Sequence, residues 1–183
     1  VGDQLAQDGF IAIVPDFLSG KGPNGGGTES LGTGVGQAIQ AITPEDFVAR
    51  MTAAMEYGKK LPASNGKTGV VGFCWGGAMA NQLAVQAPDL NAAVSFYGMA
   101  PDTALVPQIK AHVQLHYAGL DERINASREA YEAALKAAGV DFESYLYEGK
   151  QHAFHNDVNV ARYDQASAEL AWKRTLDLFK RTL

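Results

Sequence analysis

Three residues stand where the sequence leaves a strand pattern, and their side chains form a chemical set. Cys74 ends the apolar run Val70-Val71-Gly72-Phe73 and leads at once into the small-residue pattern Trp75-Gly76-Gly77-Ala78-Met79-Ala80. This reads as a strand, a sharp turn and a helix with a thiol at the apex. The expectation is that Gly72 and Gly76 allow the two backbones to approach without a Cβ. The helix N-terminus beneath the thiol favours a thiolate and a developing oxyanion. Asp121 follows His112-Val113-Gln114-Leu115-His116-Tyr117-Ala118-Gly119-Leu120, and His152 follows the Gly149 turn after the run Phe142 to Tyr147. In open sheets with helical crossovers, functional side chains collect just past strand C-termini. The order nucleophile, acid, histidine therefore suggests covalent catalysis. His152 would take the thiol proton, Asp121 would fix the imidazole tautomer, and the Trp75 N–H would bind the oxyanion.

Other residues compete for these roles. His155 is a second histidine within reach of the same turn, and Asp102, Glu122 and Asp157 are further acids. His112 and His116 share one strand face and could form a metal pair. A packed histidine fits better there, since no third ligand is evident, and neither metal nor cofactor is expected. Gly20, Gly22 and Gly25 match G-x-G-x-x-G, but Pro23 interrupts the match and no helix follows. A buried structural cysteine is the plain alternative for Cys74.

The elements that must position the triad alternate regularly. Phe10-Ile11-Ala12-Ile13-Val14, Thr68 to Phe73, Ala92 to Phe96, His112 to Tyr117 and Phe142 to Tyr147 read as strands buried in a mainly parallel sheet. Helices are expected over Val1 to Asp8, from the Thr43-Pro44 cap, from the elbow to about Gln86, from an Asn125 cap to Gly139, and over Asp164 to Arg181. Phe47, Met51, Met55, Leu170, Leu176, Leu178 and Phe179 are the candidate helix core residues. Residues 17–43 hold eight glycines and read as a mobile pocket loop. A net charge of −5 over 183 residues argues against nucleic acid and anionic membrane as partners. The lone cysteine calls for no oxidising compartment. No apolar run reaches membrane-spanning length.

The segments Phe10 to Asp16, Gly72-Phe73-Cys74-Trp75-Gly76-Gly77, Tyr117 to Asp121 and Gly149-Lys150-Gln151-His152-Ala153-Phe154 together resemble the dienelactone hydrolases, or carboxymethylenebutenolidases. The resemblance implies an α/β-hydrolase fold, as a single domain over residues 1–183. The family's first strands, its second oxyanion donor and any signal peptide would precede Val1, so this chain would be N-terminally incomplete and its compartment is left open. It also implies a Cys74–Asp121–His152 triad that cleaves a small-molecule ester or lactone through an acyl-thioenzyme. Phe154 and Asn156 are assigned to the substrate pocket. Asn156 stands where the resembled enzymes carry a carboxylate-binding arginine, and residues 17–43 contain none. Neutral substrates are therefore expected. Two other classes remain open: a class I glutaminase-type amidohydrolase, and a non-catalytic binding protein on the same scaffold. The former needs an acid two residues after the histidine, where Phe154 stands.

Overall fold

The computed structural model describes all 183 residues, in two compact units, Val1–Gly66 and Lys67–Leu183. The first unit is helical. It contains α1 (Gly2–Gln7), α2 (Thr28–Leu31), α3 (Val35–Gln40) and α4 (Pro44–Lys59), with short 3-10 turns at Pro23–Gly25 and Gly32–Gly34. Thr43 caps α4 by accepting the Asp46 N–H at 3.1 Å, and the Asp46 carboxylate pairs with Arg50 rather than closing the capping box. Phe47 and Met55 are buried, whereas Met51 is only half-buried.

Two expectations fail in this unit. Phe10 to Val14 is not a strand: a strand needs a ladder partner, and this unit contains no other extended segment. Ile11, Ile13 and Val14 are exposed. Residues 17–43 are not an open loop but a run of short helical turns. Asp16 anchors its start by accepting the Leu18 N–H at 2.9 Å.

The second unit is a three-layer sandwich. Its sheet comprises β1 (Gly69–Phe73), β2 (Ala92–Phe96), β3 (His112–Ala118) and β4 (Phe142–Tyr147), all parallel, in the order β1-β2-β3-β4. Four of the five expected strands therefore form within one residue of their expected bounds. Strand β2 is buried at every position, because helices cover both faces of a parallel sheet.

Helix α5 (Trp75–Gln86) packs on β1 and β2. Beside it lies α7 (Arg128–Ala137), where Tyr131 Oη donates to Asn81 Oδ1 at 3.5 Å. The short α6 (Glu122–Asn125) precedes α7, and α8 (Gln165–Thr182) covers the opposite face. Alternation along the strands sends Ser95 and Ser144 toward α5 and α7, and Gln114 and His116 toward α8.

The buried stripe of α8 runs through Ala168, Ala171, Thr175, Leu178 and Phe179. Leu170 falls off that stripe and is 44% exposed, and Leu176 is half-buried, so neither is the core residue expected. Asn125 is not a helix cap either. Asp121 caps α6, while the Asn125 amide donates to the Ala118 carbonyl at 2.8 Å and pins the turn before the acid. No helix is long and apolar enough to cross a membrane.

Candidate active site

Strand β1 ends in an elbow whose shape is dictated by sterics. Cys74 is at φ +55°, in the left-handed region that side chains rarely occupy, and its N–H donates to the Phe96 carbonyl at 3.1 Å. A Cβ on Gly72 would meet the Gly76 carbonyl oxygen at 1.9 Å. The expectation that Gly76 is needed for the same reason is not met, since a Cβ there meets nothing within 4 Å. The close approaches fall instead on Gly77, where a Cβ would lie 2.6 Å from the Phe96 oxygen, and on Gly98, where it would lie 2.2 Å from the Gly77 carbonyl carbon.

The loops beyond β3 and β4 are laced together past the sheet. Gly119 N–H donates to the Tyr147 carbonyl at 2.9 Å, and Leu120 N–H to the Lys150 carbonyl at 2.9 Å. Lys150 in turn pairs with Asp164, the cap of α8, at 2.7 Å. This lacing carries Asp121 and His152 to one another. His152 Nδ1 makes a short hydrogen bond with Asp121 Oδ2, and its Nε2 lies 3.0 Å from Cys74 Sγ. With Nδ1–H donated to the carboxylate, Nε2 is the acceptor for the thiol proton. Asp121 is buried and His152 is partly exposed, so the network opens toward solvent from the histidine side.

The resting thiol is neutral in character. Burial, and then the Asp121 carboxylate, push its pKa up, against the positive charges of Arg123 and Arg162. The expected bias of the helix N-terminus toward a thiolate is therefore outweighed. Arg123 and Arg162 escape the sequence reading, although Arg123 stands only two residues after Asp121. Their charges mean that an arginine-free stretch over 17–43 does not leave the thiol without nearby cations.

The remaining candidates separate. His155 is outside the network: its ring packs 5.1 Å from Phe73 and 5.7 Å from Trp172, and burial lowers its pKa. Phe154 is fully buried between Tyr97 and Tyr147, which makes it packing beneath the site and not pocket lining. Asn156 is exposed, and its Oδ1 accepts the Val158 N–H at 3.3 Å. Asp102 caps the 3-10 turn Thr103–Gln108, and Glu122 and Asp157 are exposed. His116 has its Nδ1 on Tyr147 and its Nε2 on Gln114, and it is a packed core histidine. His112 pairs with Asp141 at 2.9 Å.

A parallel sheet whose strand–elbow–helix carries Cys74, with Asp121 and His152 beyond later strands, defines an α/β-hydrolase. Within that class the chain belongs to the dienelactone hydrolase family, whose model matches residues 1–183. It is 34% identical to Protein usf of Aquifex pyrophilus, over 99% of this chain and 79% of that protein. It is 30% identical to an Aquifex aeolicus protein provisionally named carboxymethylenebutenolidase, over 97% of this chain and 78% of the relative. A Klebsiella pneumoniae crystal structure, provisionally titled dienelactone hydrolase, superposes with a TM-score of 0.71 at 25% identity. That match covers 78% of this chain and 63% of the other.

Proposed function

We propose that this chain hydrolyses a small-molecule carboxylic ester or lactone through an acyl-thioenzyme on Cys74. The observation that carries the reading is the continuous line from Cys74 Sγ through His152 to Asp121, with 3.0 Å between thiol and imidazole. The provisional names of the relatives add a lactone to the substrate class.

The thiol loses its proton to His152 Nε2 as Sγ attacks the substrate carbonyl carbon. Asp121 stabilises the resulting imidazolium and holds its ring in place. The oxyanion takes a hydrogen bond from the Trp75 backbone N–H at the start of α5. Collapse breaks the C–O bond, and the leaving oxygen collects the proton from His152. Water then attacks the thioester, gives a proton to His152, and expels Sγ. The sulfur regains its proton and the acid departs. Every electron pair and proton stays among substrate, water and these side chains.

A neutral resting thiol fits this sequence, because deprotonation is then coupled to attack. The supporting acid stands at the end of β3 and not two residues after the histidine, which favours an ester hydrolase over a glutaminase. The test is a panel of esters and lactones with the parent chain and Cys74→Ala, together with mass detection of an acyl group on Cys74. We expect loss of turnover on the order of 10⁴-fold. Unchanged turnover in Cys74→Ala sinks the mechanism.

A further inference from the structure

Four non-glycine residues have positive φ, and three of them lie in or beside the triad. Cys74 is the elbow, and Ala153 at φ +69° makes the turn after His152. The other is Tyr97 at φ +38°, which has no part in the chemistry described so far. It lies one step past β2. Because Phe73 pairs with Phe96, its register place is beside Cys74. Its N–H donates to the His116 carbonyl at 2.7 Å, so this strained position is tied into the sheet. Backbone strain of this kind persists where surrounding contacts over-determine it, and it gathers at functional sites.

The side chain of Tyr97 is 1% exposed and faces the histidine. Its ring lies 4.9 Å from the His152 imidazole at an interplanar angle of 54°. Phe154 backs it edge-on at 5.5 Å. The backbone N–H of His155, three residues along the same turn, lies close to the Tyr97 hydroxyl. An imidazole held at both nitrogens can still rotate about the line joining them. Within the range its side-chain torsions allow, what packs on its faces sets that angle, and the angle decides whether the Nε2 lone pair points at Sγ.

We infer that Tyr97 is a positioning residue for His152. The ring fixes the tilt of the imidazole toward Cys74, and the hydroxyl anchors the turn that carries it. This inference rests on the triad reading above.

The test compares the parent, Tyr97→Phe, Tyr97→Leu and His152→Ala. One readout is hydrolysis of an activated ester, with kcat and KM determined separately. The other is the pH profile of Cys74 alkylation by iodoacetamide. Small misplacements of a catalytic group cost up to about 10²-fold in rate. On that scale kcat falls roughly 3- to 10-fold in Tyr97→Phe and roughly 10- to 100-fold in Tyr97→Leu, with KM changed less than about twofold. The alkylation profile moves to higher pH in Tyr97→Leu, in the same direction as in His152→Ala. A Tyr97→Leu protein with parental kcat and parental profile, beside a shifted His152→Ala, overturns the inference and leaves the triad standing. An unshifted His152→Ala profile overturns the triad reading itself. If Tyr97→Leu loses its cooperative melt, Tyr97→Phe decides: parental kcat refutes the inference, and lowered kcat at parental KM and Tm upholds it.

Discussion

Two histidines of this chain sit in hydrogen-bonded networks of opposite character. His116 lies within β3, fully buried, and stacks at 4.3 Å on Phe96. Arg174 donates to the Tyr147 hydroxyl at 3.1 Å, and that hydroxyl donates to His116 Nδ1 at 2.9 Å. His116 Nε2–H then donates to Gln114 Oε1 at 2.9 Å, and the Gln114 amide donates to Glu143 at 2.7 Å. Burial, and then the Arg174 charge, drive its pKa well down. His152 stands beyond the strand ends, partly exposed, between a carboxylate and a thiol. In the first network every proton has one resting place. In the second, the imidazole bridges a carboxylate and a thiol. A histidine inside a strand rigidifies, and the same residue past a strand end is open to solvent.

The comparison can be broken most decisively at His152. His152→Ala should cost turnover on the order of 10⁴-fold while leaving Tm nearly unchanged. His155→Ala should keep most of the activity. The reverse pattern would move the base to His155. At the core histidine the effects should exchange places. His116→Leu removes the acceptor of the Tyr147 hydroxyl proton and the donor to Gln114 Oε1. We expect a loss of about 1–3 kcal/mol in urea unfolding, with activity of the folded protein within a few-fold of the parent.

Acid sharpens the contrast. A histidine whose folded-state pKa is depressed contributes stability that is present above pH about 6.5 and lost as pH falls below it. His116 and the less deeply buried His155 both shift this way. Stability should fall by up to about 1.4 kcal/mol per pH unit for each, and His116→Leu should flatten that slope. The smallest effect is expected at the α8 cap. Hydrogen bonds from Lys150 and Ser167 bring the Asp164 carboxyl down to about 2, so its contribution holds above pH about 4 and disappears as pH drops toward 2. Asp164→Ala should cost about 1 kcal/mol at neutral pH and lose the acid-side decline.

The meeting of the three candidate residues was legible because its logic is local. Apolar runs mark strands buried on both faces, so β1 to β4 could be read from composition alone, and Cys74, Asp121 and His152 followed from where those runs stop. What depended on distant partners was hidden. Phe10 to Val14 has the composition of a strand, but pairing is decided by a neighbour and not by the run itself. Gly98 matters through its contact with Gly77, two elements away in sequence. Phe154 looked like a pocket residue because it follows the histidine, yet the positive φ of Ala153 turns it into the core. Tyr97 ends an apolar strand just as Cys74 does, so the strand-end rule reaches it. Its ring chemistry alone gave no reason to single it out.

The elbow also sets the mutational tolerance of the chain. At Gly72, Gly77 and Gly98 an added methyl group would meet backbone atoms at 1.9, 2.6 and 2.2 Å, and backbone cannot rotate aside as a side chain can. A saturation library should therefore return glycine alone at these places. Gly76 lies between two of them with open space around it, and should accept larger residues. Variation near the thiol is thus confined to the Gly76 side of the turn, while the side packed at Gly72, Gly77 and Gly98 has no room to evolve.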